Sequence, residues 1–242
     1  MSALARWWRA RPVAFAALLY AVLALVFVSQ SLLPGRVMSF SDGAYFTPPW
    51  SASKPASLVR AANPELGDAY SVLYPQLDFD RAQMPDVPLW NPSIQSGRPF
   101  LADGQSALFS PFTLPTYVLG TYDSLAWVAA LKLFLAAFGL FLLSRALGVR
   151  PGGALVGGVV YGFNLWMVEW LVYPHSSVWA LLPWLPLAGD RVIRRPAPLE
   201  ACGLAAMLGL VLLCGHPESE FQAGVALVVF AALRMVQLHR RD

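Results

Sequence analysis

Several polar side chains lie in turn-like stretches where they could act on a phosphorylated or hydroxylated molecule. Asp42 stands in the sequence Ser41-Asp42-Gly43, for which an ordinary Asx-turn is the other interpretation. Arg98 could hold a phosphate, because the guanidinium group matches phosphate geometry, or it could pair with an aspartate of the same loop. The remaining candidates each stand beside a glycine or a proline, where a plain polar turn residue is the alternative: Asp103, His175, His216 and Glu218.

A pair of carboxylates, Asp78 and Asp80, is a second feature with possible chemistry. In an extended segment both side chains would point to one side, so they could hold a divalent cation. We favour a solvated turn instead, because a spacing of two residues is common by chance. The sequence therefore predicts no certain metal ligand and no certain cofactor, and it leaves a divalent cation open.

The composition indicates a membrane protein. Of the 242 residues, 57% are hydrophobic and 13% are charged, whereas soluble domains carry about 25% charged residues. This composition excludes a soluble enzyme and a disordered chain. The net charge of +3 does not indicate a nucleic-acid partner, because a basic balance in a membrane protein usually reflects its cytoplasmic flanks. We expect membrane lipids to surround the chain.

Apolar segments predict an all-α polytopic fold with about six transmembrane helices. The first segment has twenty-one residues without a charge and would span about 32 Å as a helix, enough for a bilayer core. Arginines precede it as in a signal peptide, but it exceeds the roughly 7–15 apolar residues of such peptides, so we expect a retained helix. The fourth segment contains Pro183 and Pro186 and could be tilted, kinked or re-entrant. The six segments are 13–33, 125–147, 154–173, 178–189, 199–215 and 221–236.

Two features inside these segments have both a structural and a functional interpretation. Lys132 could serve a function, reach a membrane surface with its long side chain, or pair with Glu169. The third segment has small residues four apart, a spacing that lets another helix approach closely, and we interpret it as plain helix packing. These glycines are Gly153, Gly157, Gly158 and Gly162.

The arginines predict the orientation of the segments. With the N-terminus inside, eleven arginines fall on the cytoplasmic side, in agreement with the positive-inside rule. This orientation gathers the candidate residues on the outer face, namely Asp42, Asp103, His175, His216, Glu218 and the nearby Glu169. The cytoplasmic arginines are Arg6, Arg9, Arg11, Arg145, Arg150, Arg191, Arg194, Arg195, Arg234, Arg240 and Arg241.

The outer loop is predicted to be a folded unit. Residues 34–124 contain twelve of the twenty prolines, but they also contain thirteen aromatic residues, which disordered linkers lack. Long ordered loops tend to be functional. We therefore divide the chain into a cytoplasmic N-terminus with the first helix (1–33), an extracytoplasmic unit (34–124) and a bundle of about five helices (125–242).

Four blocks of the sequence resemble the YfhO-type family of bacterial membrane proteins. The blocks occur in a consistent order across most of the chain. Members of this family are usually longer, so the chain looks like the N-terminal portion of such a protein, either a fragment or a truncated relative. The blocks are Ser41-Asp42-Gly43, the stretch 88–111 with PLWNP, Gly97-x-Pro99 and Asp103, then His175 followed by WLPL at 184–187, and GHPE at 215–218.

The resemblance implies an activity and roles for individual residues. This family belongs to the GT-C glycosyltransferases, which take a sugar from a polyprenyl-phosphate carrier and transfer it outside the cytoplasm. The resemblance implies that Asp42 is the catalytic base, and that the bacterial cytoplasmic membrane holds the chain. Arg98, Asp103, His175, His216 and Glu218 would then bind substrate. Two alternatives remain open: a non-catalytic scaffold or binder of lipid-linked intermediates, and a transporter.

Overall fold

The computed structural model describes residues 3–240 of the chain. Met1, Ser2, Arg241 and Asp242 lie outside the described residues, as do the side chains of residues 3–6. The predicted cytoplasmic roles of Arg6 and Arg241 therefore fall outside it as well. The helices are α1 Ala3–Ala10, α2 Pro12–Val28, α3 Tyr74–Gln83, α4 Leu114–Leu119, α5 Thr121–Ala146, α6 Pro151–Gly162, α7 Leu165–Glu169, α8 Pro174–Leu181, α9 Trp184–Arg194, α10 Pro198–Leu212 and α11 Pro217–His239, and a two-residue strand β1 Trp90–Asn91 pairs with β2 Arg98–Pro99.

Three of these helices are long and apolar enough to cross a membrane. They are α2 with its 3-10 extension (Pro12–Leu32), α5 and α11. Their apolar runs contain few charges, and 21 to 26 residues of helix cover the thickness of a bilayer core. The described chain is thus mainly α-helical with helices suited to a membrane, in agreement with the predicted all-α membrane class.

Helix α5 lies at the centre of the bundle, where α2, α6, α8 and α9 pack against it. The inner face of α5 includes Leu133, Ala137 and Phe141, all fully buried. Small residues bring α6 close, because a Cβ atom added to Gly162 would lie 2.8 Å from the Cβ of Ala137. The glycine spacing therefore serves helix packing, as the sequence indicates.

Two apolar segments that the sequence predicts as single units are broken in the structure. The 154–173 segment divides after α6 because Asn164 starts a new helix: its Oδ1 accepts a hydrogen bond from the Met167 backbone N–H at 2.9 Å. The 178–189 segment divides at Pro183, between α8 and α9. Proline has no backbone N–H and cannot continue the preceding helix, so the chain turns there.

Residues 34–124 pack on the helices through a buried cluster. Leu66, Ala69 and Tyr74 pack in one buried cluster with Leu125 of α5 and with Tyr173. The Tyr74 hydroxyl also receives a hydrogen bond from the backbone N–H of residue 40 at 3.2 Å. These contacts tie the segment that follows α2 to the start of α5.

A small hairpin organises the PLWNP stretch. Trp90 pairs with Pro99, and Asn91 pairs with Arg98, in antiparallel register. The turn ends at Gly97, whose φ of +101° is accessible to glycine at little cost. A side chain there would also collide with the indole of Trp90, 2.7 Å from a Cβ position. The glycine therefore allows the indole to close over the turn.

The ends of α5, α9 and α11 meet around one buried carboxylate. Asp190 of α9 accepts a hydrogen bond from Arg234 Nε of α11 at 2.6 Å, and it pairs with Arg194 at 2.9 Å. Arg194 also donates to the carbonyl oxygen of Ala146, the last residue of α5. Three arginine-bearing helix ends therefore share one end of the bundle.

Candidate functional site

Asp42 begins a 3-10 turn (Asp42–Phe46) in the segment that follows α2. Its Oδ2 accepts a hydrogen bond from the backbone N–H of Ala62 at 2.6 Å, twenty residues away in sequence. The turn itself is closed by the backbone, since Ala44 N–H donates to the carbonyl oxygen of Ser41. The carboxylate thus joins two loop segments, and its other oxygen has no hydrogen bond within residues 3–240.

A cavity of about 620 Å³ opens beside Asp42. Its lining includes Gly43, Ala62, Arg60 and the ring of Tyr70. Tyr70 lies so close to Gly43 that a side chain there would meet its ring at 2.9 Å. Within the described chain Arg60 makes no ion pair, so the cavity combines a guanidinium and an aromatic ring. Asp42 does not line the cavity itself but is hydrogen-bonded to Ala62, which does.

Arg98 and Asp103 are joined to each other by an ion pair with a short hydrogen bond. Of the two predicted roles of Arg98, the structure therefore shows the pairing with an aspartate of the same loop. The second oxygen of Asp103, Oδ2, is buried and has no hydrogen-bond partner in the described part of the chain. Each of these predicted substrate-binding residues neutralises the other, and their role towards a substrate stays a prediction.

The loop that follows Asp103 contacts the turn that precedes His216. Gly215, with φ +80°, lies against this loop, and a Cβ atom there would be 2.6 Å from the Cβ of Ala107 and 3.1 Å from the carbonyl oxygen of Gly104. The outer segment and the start of α11 are thus in direct contact at Gly215. This contact brings two of the predicted blocks together.

His175 and His216 lie side by side at the starts of α8 and α11, with ring centroids 4.8 Å apart. The rings of Trp166, Trp170 and Tyr173 surround His175 at 5.7, 4.7 and 5.4 Å. Burial among these rings, together with smaller contributions from the neighbouring His216 and Lys132, lowers the pKa of His175 to about 4. His175 is therefore neutral at physiological pH and offers hydrogen bonds rather than charge.

His216 caps the start of α11. Its Nδ1 accepts a hydrogen bond from the Ser219 backbone N–H at 3.2 Å, and its own backbone N–H donates to Glu220 Oε1 at 2.9 Å. Both contacts give hydrogen-bond partners to backbone N–H groups that the start of a helix leaves unpaired. Glu218 is exposed in the first turn of α11 and has no hydrogen bond or ion pair within residues 3–240. The capping thus depends on Glu220, which sequence reasoning did not single out.

Lys132, in the middle of α5, has a structural role, because its side chain holds a neighbouring turn in place. Its Nζ donates to the carbonyl oxygens of Leu171 and Tyr173, at 3.0 and 2.9 Å, and to Ser176 Oγ at 2.9 Å. The possible pairing with Glu169 does not occur, because Glu169 is exposed at the end of α7 and the ammonium group reaches the turn beyond it. Lys132 therefore fixes the turn that carries His175.

The interpretation of Asp78 and Asp80 as a solvated turn is wrong. Both lie in α3, where residues two apart do not share a face. Asp78 accepts a hydrogen bond from Thr121 Oγ1, while the buried Asp80 accepts one from the Tyr117 hydroxyl. Burial raises the pKa of Asp80 above its usual range. In the part of the chain that the structure describes, no three His, Cys, Asp or Glu side chains form a set that could hold a metal ion, so this donor set does not fit a divalent cation.

The structure joins some of the predicted residues and leaves others apart. It links Arg98 with Asp103 and His175 with His216. Between residues 3 and 240, no hydrogen bond or ion pair connects Asp42 with any of these four. Arg60 and Tyr70, which line the cavity beside Asp42, carry no sequence signal, because both are distant from Asp42 along the chain.

No protein-family model matches the chain, and neither a curated protein nor a solved structure matches it.

Proposed function

We propose that this chain is a membrane glycosyltransferase that moves a sugar from a polyprenyl-phosphate carrier to an acceptor outside the cytoplasm. One observation carries the proposal beside the resemblance. The Asp42 carboxylate, ten residues beyond the first membrane-spanning helix, is hydrogen-bonded to Ala62, which together with Gly43 and Arg60 lines a cavity of about 620 Å³. A base and a phosphate-binding cation are the two groups that this reaction needs.

The reaction assigns a task to each of these side chains. Asp42 accepts the proton of an acceptor hydroxyl through the carboxylate oxygen that Ala62 does not occupy. The acceptor oxygen then bonds to the first carbon of the sugar, the bond from that carbon to the phosphate oxygen breaks, and polyprenyl phosphate leaves. Arg60 binds the departing phosphate, because Arg98 is already paired with Asp103. The ring of Tyr70 offers an apolar surface to the sugar.

The same proposal fixes the arrangement in the membrane. The three long helices and the shorter apolar helices together supply the six spans, and the end that carries Asp190 and Arg234 faces the cytoplasm of a bacterial cell. Residues 34–124 then lie outside, where a lipid-linked sugar is presented. The Asp42 cavity belongs to this outer unit, so donor and carboxylate meet on one side of the membrane.

Asp42→Asn in the full chain tests the assignment. The asparagine keeps an oxygen that can accept from Ala62 N–H but cannot take a proton as a base, so folding is preserved while catalysis is removed. We expect the transfer rate to fall by about 100-fold or more. The assay uses the protein in liposomes with radiolabelled polyprenyl-phosphate sugars and an isolated cell-envelope fraction as the acceptor.

Asp86→Asn is the matched control, because Asp86 is an exposed aspartate of the same outer segment with no side-chain hydrogen bond in the described chain. Its transfer rate should equal that of the unaltered protein. Equal rates for Asp42→Asn and the unaltered protein would show that Asp42 is not the base. If the unaltered protein binds a lipid-linked sugar and transfers none, the non-catalytic alternative is correct.

A further inference from the structure

A second cavity, of about 510 Å³, lies between α3 and the hairpin of β1 and β2. It shares no lining residue with the cavity beside Asp42. Its volume falls within the roughly 300–1,000 Å³ of small-molecule sites. The lining side chains that matter here are Gln76 and Phe79 from α3, and Asn91, Ser93, Gln95 and Arg98 from the hairpin region.

Two buried amides open into this cavity. Gln76 is only 6% exposed and Asn91 only 4%. The Gln76 amide makes no hydrogen bond within residues 3–240, and Asn91 uses only its Oδ1, which accepts from Ser93 N–H at 2.9 Å. These amides reach the cavity with donors and acceptors that the described chain leaves unused, so a ligand that supplies the complementary groups would bond to them.

The charge of the lining indicates a neutral ligand. Among the described residues that line the cavity, Arg98 is the one with a charge, and Asp103 neutralises it through their ion pair. The other polar groups are amides and the Ser93 hydroxyl, which donate and accept hydrogen bonds without net charge. A phosphate or carboxylate would find no uncompensated cation here, whereas the hydroxyl groups of a sugar would find partners of both kinds.

An aromatic ring completes the lining. Phe79 lies on α3 one turn from Gln76, and Phe100 holds its ring edge-on at a centroid distance of 4.9 Å. A fixed ring offers an apolar surface on which the C–H face of a pyranose can pack while its hydroxyls bond to the amides. The cavity thus offers amide groups to the hydroxyls of a carbohydrate and an aromatic surface to its C–H face.

We propose that this cavity binds a neutral carbohydrate through Gln76, Asn91 and Phe79. Its identification as the acceptor-glycan subsite rests on the proposed glycosyltransferase function, but the binding of a neutral sugar does not. The donor would then occupy the cavity with Arg60, where a guanidinium meets the phosphate, and the acceptor glycan would occupy this uncharged one.

Saturation-transfer NMR on the full chain in lipid nanodiscs tests the binding. Nanodiscs are necessary because detergents with sugar head groups would occupy the cavity. The probes are methyl β-D-glucopyranoside, methyl α-D-mannopyranoside and N-acetylglucosamine, each added alone, with inorganic phosphate as the charged comparison. We expect at least one sugar to bind saturably, and inorganic phosphate, added as a competitor, not to reduce the sugar signal.

Three variants locate the binding. Gln76→Leu keeps the size of the side chain and removes its amide, so the dissociation constant should rise by about tenfold. Ser93→Trp fills the cavity from its exposed rim and should abolish binding even if Gln76→Leu is difficult to produce. The matched control is Gln83→Leu, an exposed glutamine of the same helix outside the cavity, which should bind as the unaltered protein does.

The outcomes separate this inference from the proposed function. Asp42→Asn should still bind the sugar while it transfers none, because its cavity is a different one. The inference is overturned if none of the three sugars binds saturably, if phosphate displaces the sugar, or if Gln76→Leu and Ser93→Trp bind as tightly as the unaltered protein. Sugar binding without transfer would overturn only the glycosyltransferase proposal.

Discussion

Two adjacent glycines of α6 should respond in opposite ways to the same substitution. A Cβ atom at Gly158 would lie 2.6 Å from the carbonyl oxygen of Ala137 on α5 and 2.2 Å from the hydroxyl of Tyr20 on α2. The Tyr20 hydroxyl, which donates to the carbonyl oxygen of Leu155, would have to move. Overpacking costs about 1–3 kcal/mol, and the lost hydrogen bond adds about 1 kcal/mol. Because alanine also favours the helix by up to about 1 kcal/mol, Gly158→Ala should destabilise the fold by about 1–3 kcal/mol.

Gly157→Ala is the internal control for this prediction. Its Cβ atom would meet only Leu140 Cδ2, at an ordinary 3.9 Å, and alanine is the better helix former by up to about 1 kcal/mol. Stability would be measured as the free energy of unfolding in mixed micelles titrated with SDS. If both variants unfold at the same SDS fraction, the described contact among α2, α5 and α6 is wrong. Tyr20→Phe combined with Gly158→Ala should recover part of the loss.

Two further predictions concern the opposite ends of the bundle. Asp190→Asn should lower the free energy of unfolding by about 3–5 kcal/mol, because it leaves the buried charge of Arg234 uncompensated; an effect below about 1 kcal/mol in the same titration would contradict the network. His175 should remain neutral at pH 5, since its pKa is lowered to about 4. Unfolded histidine takes up its proton near pH 6.5, so stability should decrease as the pH falls from about 6.5 towards 4. An imidazole NMR titration with a midpoint near 6.5 would contradict this, and His175→Gln should lack this part of the pH dependence.

The long helices could be predicted from the sequence because a single property, an uninterrupted run of apolar residues, determines them. The apolar segment 13–33 became Pro12–Leu32, and the segment 125–147 became Thr121–Ala146, within a few residues at each end. An uninterrupted run of apolar side chains has one stable solution in a membrane, which is a helix with its backbone hydrogen bonds satisfied internally. The break at Asn164 was missed, because hydropathy does not register a side chain that caps a helix start.

The candidate site was harder to predict, because its contacts join distant segments. Arg98 and Asp103 lie five residues apart, and their pairing was one of two interpretations that the sequence offered. The hydrogen bond from Ala62 to Asp42, and the position of Lys132 beneath the turn before His175, depend on how loops pack on helices. Local spacing contains no information about such contacts, so the sequence could name the residues but not their partners.

The breaks in the helices are what bring the polar turn residues together. Had the chain run as continuous helices through 154–189, His175 would lie inside a span and could not meet His216 at the start of α11. The cap at Asn164 and the short helix α7 instead return the chain to the turn that Lys132 holds, and α8 begins there at Pro174. Proline at the first position of a helix costs little, because the N–H that it lacks would have no partner within the helix. Pro174 therefore lets α8 begin at the turn that carries His175, at the end of the bundle on which residues 34–124 dock.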